Sequence, residues 1–184
     1  MSESSSAATG KVAFLVAGEG IERVELTHPW AAVRDAGRKP VLVSLKPGQV
    51  QTFDHLDKSE TFTVDEVVAS VTPDEFDALV LPGGVANPDA LRMDAAAVAF
   101  VKAFMATGKP VASICHAAWA LVEADAVKGR TLTSWPSVQT DVRNAGGTWV
   151  NREVVVDGNL ITSRKPEDLP AFCDALLTAV GAGS

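Results

Sequence analysis

Lys109-Pro-Val-Ala-Ser-Ile-Cys-His-Ala-Ala-Trp-Ala-Leu121 changes character at its midpoint. Val111 to Cys115 is a short apolar run of the kind found in strands covered on both faces, and Ala117, Ala118, Ala120 and Leu121 beyond it are good helix formers. A strand that passes directly into a helix is the repeating joint of α/β proteins, and the same alternation extends outward in both directions. Val12 to Ala17, Val41 to Leu45, Ala78 to Leu81, Glu153 to Val156 and Leu160 to Thr162 read as further strands. Asp94 is placed to cap a helix with Val98, Val101 and Met105 on one face and Gly108 as its stop. Pro136 opens another with Val138, Val142 and Ala145 inward, and Pro166 opens the last, whose stripe is Leu169, Phe172, Cys173, Leu176 and Val180. The first helix begins near Glu22, and Pro29 predicts a kink or restart around Thr27 to Pro29. Val50 to Phe53 and Thr61 to Val64 are expected to pair as a hairpin over the polar loop around His55. The pattern is that of an α/β three-layer sandwich, a flavodoxin-like, mostly parallel sheet with helices on both faces and strand order 2-1-3-4.

The 184 residues suit one domain, expected over 11–184, after a disordered Ser- and Ala-rich tail over 1–10. A net charge of −7 argues against a nucleic-acid partner, which requires clustered cations, and the absence of an apolar run of about 20 residues argues against a membrane span. The amino terminus has neither the basic start nor the apolar core of a secretory signal, and the chain holds only Cys115 and Cys173, so a cytoplasmic location is expected.

In an open α/β sheet, ligands bind beyond the carboxyl ends of the strands. Gly18-Glu19-Gly20-Ile21-Glu22, Pro82-Gly83-Gly84 and Cys115-His116 all fall at such ends. A thiol at a strand-to-helix turn feels unpaired N–H groups, which favour thiolate, and the geometry resembles a nucleophile elbow; read alone, Cys115 is equally a buried strand-end thiol. Glu22 is the natural acid to donate to that sulfur, with Glu19 and Glu25 competing. The N–H groups of Gly84 and His116 suit an oxyanion, Gly83 allows close approach, and Trp119 suits either a pocket wall or the core. A Cys115–His116 proton relay requires strained elbow geometry, because adjacent side chains seldom point the same way. His28 and His55 show no ligand spacing, so no metal is expected; Gly18-x-Gly20 fails as a dinucleotide fingerprint at Arg23, so no cofactor is expected. Cys173, on the stripe of the last helix, reads as core.

At these residues the sequence resembles the PfpI family of intracellular protease/amidase-like proteins, within the superfamily of the Parkinson's-associated redox chaperone. The resemblance is carried by Glu22 to Pro29, Leu79 to Asp89, Pro110 to His116, Thr131 to Pro136, Asn144 to Trp149 and Val154 to Pro170. It implies Cys115 as nucleophile, Glu22 as the protonated partner of its thiolate, His116 completing the site, and Gly84 and His116 as the oxyanion hole. It further implies a homodimer or a hexamer of dimers, in which an acid from the second subunit, at Asp89 here, orients the histidine. Many relatives carry Gly-Pro after the Cys-His pair, whereas Ala117-Ala118 stand here and are expected to narrow the pocket floor. No histidine follows His116, which argues against glutamine amidotransferase chemistry.

These readings converge on a cytoplasmic stress-response cysteine enzyme acting on small reactive carbonyls or glycated adducts, of deglycase or glutathione-independent glyoxalase type. Peptide or amide hydrolysis through a thioester and a non-enzymatic redox sensor or chaperone are the rival readings, and they use nearly the same side chains.

Overall fold

A computed structural model describes residues 10–181. The tail expected over 1–10 lies outside the described residues except for Gly10, as do residues 182–184. In chain order the elements are β1 (Lys11–Leu15), β2 (Glu19–Glu22), α1 (Arg23–Asp35), β3 (Lys39–Ser44), β4 (Gln49–Asp54), β5 (Asp57–Thr63), β6 (Glu66–Val67), β7 (Ala78–Leu81), α2 (Ala86–Arg92) and α3 (Ala95–Ala106). They continue with β8 (Val111–Ile114), α4 (Ala118–Glu123), β9 (Thr131–Leu132), α5 (Gln139–Asn144), β10 (Thr148–Trp149), β11 (Val155–Asp157), β12 (Leu160–Ser163) and α6 (Leu169–Ala179).

Among the described residues a seven-stranded sheet runs β11-β12-β8-β7-β1-β3-β6, parallel throughout except for the β11–β12 pair. The order 2-1-3-4 read from the sequence is therefore the β3-β1-β7-β8 core of this sheet. Period-2 alternation divides its side chains between two apolar clusters. Ala13, Leu15, Leu79, Leu81 and Val111 face one cluster with Phe100, Phe104 and Leu121 from α3 and α4. Val12, Phe14, Ala78, Val80 and Ala112 face the other with Leu26 and Val33 of α1 and Phe172 and Leu176 of α6. Helices on both faces explain why the strands read as continuous apolar runs.

Local signals behave as their chemistry dictates. The Asp94 carboxylate accepts the Ala97 N–H at 2.9 Å at the start of α3, and single turns at Pro136–Val138 and Pro166–Asp168 open α5 and α6. The hairpin exists as β4 and β5, with Val50 opposite Phe62. Two expectations fail. Helix α1 runs through Pro29 without a break: the ring is buried on the same stripe as Leu26 and Val33, and that burial offsets the missing N–H. The Gly18 to Glu22 segment is not a loop throughout, because Glu19–Glu22 pairs in parallel with β4. Its two glycines hide the strand from a pattern reading, and its partner lies some thirty residues away in the chain. No helix of the described residues is long and apolar enough to cross a membrane.

Candidate active site

The carboxyl ends of β7 and β8, the β2 segment, the β4–β5 hairpin tip and the start of α6 enclose a cleft of about 560 Å³. Cys115 lies on it with φ of +63°, a left-handed conformation that costs a non-glycine residue about 1–2 kcal/mol. This is the strained elbow that the sequence made a condition for local thiol–imidazole contact. The condition is met: Cys115 Sγ lies 3.2 Å from His116 Nδ1. The far nitrogen, His116 Nε2, lies 3.5 Å from Ser137 Oγ, and the ring sits between Trp119, edge-on at 5.1 Å, and Trp135, near-parallel at 5.6 Å. Burial holds the His116 imidazole below its ordinary pKa, so it is neutral near pH 7 and able to accept a proton.

The acid against the sulfur is Glu25, not Glu22. Glu25 is fully buried on the inward stripe of α1, accepts the Gly83 N–H at 3.1 Å through Oε1, and packs with Cys115 against Gly83. Burial first, and the Glu22 charge second, push its pKa to about 8, while the Gly83 N–H, the Cys115 thiol and the Gly84 N–H pull it down. Its other oxygen, Oε2, has no nitrogen or oxygen partner. Glu22 is half-buried on the cleft wall, where its carboxylate accepts the His55 N–H at 3.2 Å; burial is again the main cause raising its pKa. The reason is helical register. Glu25, Pro29 and Val33 recur every four residues on the buried face, whereas Glu22 stands one residue ahead of the helix.

Burial raises the Cys115 thiol above its ordinary pKa and the Glu25 carboxylate, when charged, raises it further. The His116 and Gly84 N–H groups oppose both. The loop carrying Gly84 is braced by Asn87, whose Nδ2 donates to Pro82 O and Gly83 O at 2.9 and 3.0 Å and whose Oδ1 accepts the Ala17 N–H at 2.7 Å. Nothing in its spacing marked Asn87 for this role.

Gly83 is buried beneath the cleft rather than lining it. A Cβ there would sit 2.5 Å from Glu25 Oε1, 2.7 Å from Cys115 Cβ and 2.8 Å from Ile114 O. Gly83→Ala is therefore expected to destabilise the fold by about 1–3 kcal/mol and to depress activity together with thermal stability, as read by paired melting and turnover measurements.

Other expected positions are redistributed. Trp119 borders His116 but not the cleft, and its indole N–H donates to Asp141 Oδ2 at 3.2 Å; the wall is Trp135. Ala117 and Ala118 are buried in the cluster on the opposite face of the sheet, so they do not narrow the pocket floor. Asp89 is exposed on α2 and absent from the cleft, so within one chain it does not meet His116. The hairpin contributes Phe53, His55 and Leu56, and the α6 approach contributes Lys165 and Glu167; the alternating hairpin signal located the first group but not its orientation. Cys173 is half-buried against the α1–α6 cluster, where burial raises its thiol to about 11. Among the described residues no group of three or more His, Cys, Asp or Glu side chains is arranged to hold a metal ion.

A left-handed cysteine at a strand-to-helix elbow, with a histidine on its sulfur and a protonatable acid nearby, defines an α/β protein whose cleft is arranged around one thiol. The chain belongs to the DJ-1/PfpI family, whose model matches residues 10–179. It is 43% identical over 158 residues to Deglycase TK1284 of Thermococcus kodakarensis, covering 86% of this chain and 92% of that protein. It is 42% identical over 173 residues to Protein/nucleic acid deglycase 2 of Escherichia coli, covering 94% and 98%. Drosophila melanogaster DJ-1beta superposes with a TM-score of 0.84 at 28% identity, over 94% of this chain and 91% of that one.

Proposed function

We propose that the protein is a cysteine-dependent deglycase that removes early adducts of reactive dicarbonyls, with methylglyoxal itself as a simpler substrate. The observation that carries this reading is the Cys115 sulfur at the cleft, 3.2 Å from a neutral His116 and beside a carboxyl group kept protonated by burial. The deglycase names of relatives more than 40% identical over most of the chain support it.

With free methylglyoxal, His116 Nδ1 takes the thiol proton as Sγ bonds to the aldehyde carbon, and the developing oxyanion, met by the Gly84 and His116 N–H groups, takes that proton from the imidazolium. From a carbinolamine adduct the C–N bond breaks and the amine leaves with a proton, giving the same hemithioacetal that free methylglyoxal gives. Glu25, protonated at the start, gives its proton to the ketone oxygen and takes the C–H proton of the former aldehyde carbon, forming an enediol; it returns that proton to the neighbouring carbon and recovers one from the first hydroxyl, leaving a lactoyl thioester. Water hydrolyses the thioester to lactate and returns the thiol proton. No external oxidant or reductant enters the balance. The test is incubation with a methylglyoxal-modified N-acetylated amino acid: one lactate and one unmodified amino acid per adduct consumed is the expected result, and lactate release no faster than the uncatalysed rate would sink the reading.

A second reading draws on the unpartnered Glu25 Oε2. A protonated carboxyl group there would donate to a Cys115 sulfinate formed by peroxide, making the same thiol an oxidation sensor.

A further inference from the structure

We propose that Ser137 is a positioning residue for His116, accepting the Nε2 proton so that Nδ1 presents its lone pair to the Cys115 thiol. The inference rests on the role of Cys115 given above and assigns the tautomer that role requires.

A neutral imidazole carries one N–H, and only the ring nitrogen without it can accept the thiol proton. In this site Nδ1 faces Sγ at 3.2 Å and Nε2 faces Ser137 Oγ at 3.5 Å, so the two ring nitrogens have different partners. A hydroxyl oxygen accepts from Nε2–H with its own proton turned away, whereas a proton on Nδ1 would leave the relay without a base. No carboxylate of this chain reaches Nε2 within hydrogen-bonding distance among the described residues. Among the charged groups nearby, Glu22, Glu25 and Lys165 belong to the cleft, and Asp141 and Arg92 lie behind Trp119.

The placement of Ser137 is built in. The Trp135 N–H donates to the Cys115 carbonyl at 3.1 Å, which ties the Trp135-Pro136-Ser137 segment to the nucleophile's own backbone. Pro136 fixes the entry of the following turn, and Val138 N–H closes it on Trp135 O at 2.9 Å. Trp135 and Trp119 restrict rotation of the ring, and Trp119 is itself held by Asp141 and by the Arg92 guanidinium 5.9 Å over its face. One loop thus supplies both the stacking wall and the tautomer-setting oxygen. When the thiol proton moves to Nδ1, the imidazolium still donates from Nε2 to Ser137, so the contact stabilises the ion pair as it forms.

The test is the rate of iodoacetamide alkylation of Cys115 against pH, followed by intact mass on a Cys173→Ser background, beside kcat and KM for lactate release. Ser137→Ala is expected to slow alkylation at pH 7 by about three- to tenfold and to lower kcat by a similar factor with KM unchanged, the value of one hydrogen bond. Ser137→Thr, which keeps the oxygen, is expected to recover at least about half of both rates. An alkylation rate indifferent to Ser137→Ala, or a threonine variant no better than alanine, overturns the proposal. Alkylation that depends on Ser137 in a protein releasing no lactate supports the relay while removing the deglycase reading.

Discussion

Cys115→Ala is expected to lower lactate release from methylglyoxal adducts by at least about a thousandfold, because the nucleophile of a covalent mechanism has no substitute among its neighbours. Cys115→Ser should lose nearly as much. A hydroxyl at the same elbow keeps the geometry, but its proton is far harder to remove, and a neutral imidazole without an orienting carboxylate is a weak base for it. The fold should survive both changes. Cys115 holds a left-handed φ of +63°, and alanine accepts that strain at much the same cost. Melting within about 1 kcal/mol of wild type, with turnover gone, is the expected pair of results; full turnover in the alanine variant would remove Cys115 from the chemistry altogether.

The elbow shows which parts of such a site can be read along a chain. Val111 to Ile114 announced a buried strand, and the alanines after His116 announced a helix, so the cysteine's place at a turn followed from two local patterns. The sharpness of the turn did not: the left-handed Cys115 packs against Gly83 of the β7 loop, over thirty residues away, and that neighbour is invisible to a local pattern. Ala117 and Ala118 illustrate the same limit. Their distance in sequence from the nucleophile suggested the pocket floor, but the turn reverses direction and sends both methyl groups into the opposite core. The Gly18 to Glu22 segment, whose two glycines resemble a loop, forms the strand β2 only because β4 offers it an edge.

The acid is singled out by helical register rather than by charge. Glu19, Glu22 and Glu25 all lie near a helix amino terminus, and charge preference alone does not separate them. Helical spacing does: Glu25, Pro29 and Val33 share a face with Leu26, so an acid in that register must be buried with the core and be neutral or paired. Recognising the pattern Glu25-x-x-x-Pro29-x-x-x-Val33 as an apolar stripe with one carboxyl group in it would have named the residue.

Glu25→Gln is accordingly expected to reduce kcat by about a hundredfold or more, because an amide can hydrogen-bond but cannot carry a proton between carbons, whereas Glu22→Gln should cost less than about fivefold. The pH dependence separates the two further. Turnover needs the protonated Glu25, so in wild type it should fall as pH rises through about 8. The Glu22 charge is the second largest cause raising the Glu25 pKa, so Glu22→Gln should move that alkaline limb to lower pH while leaving the plateau nearly intact. Stability follows the same proton. The folded pKa lies above the ordinary 4.5, so the stabilisation tied to the neutral carboxyl group is fully present below about pH 4.5 and is lost as pH rises through about 8, on the order of a few kcal/mol in all. Glu25→Gln should flatten that slope in melting curves taken across the range. An alkaline limb unmoved by Glu22→Gln, or a stability slope unchanged by Glu25→Gln, would show that the titrating group lies elsewhere in the cleft.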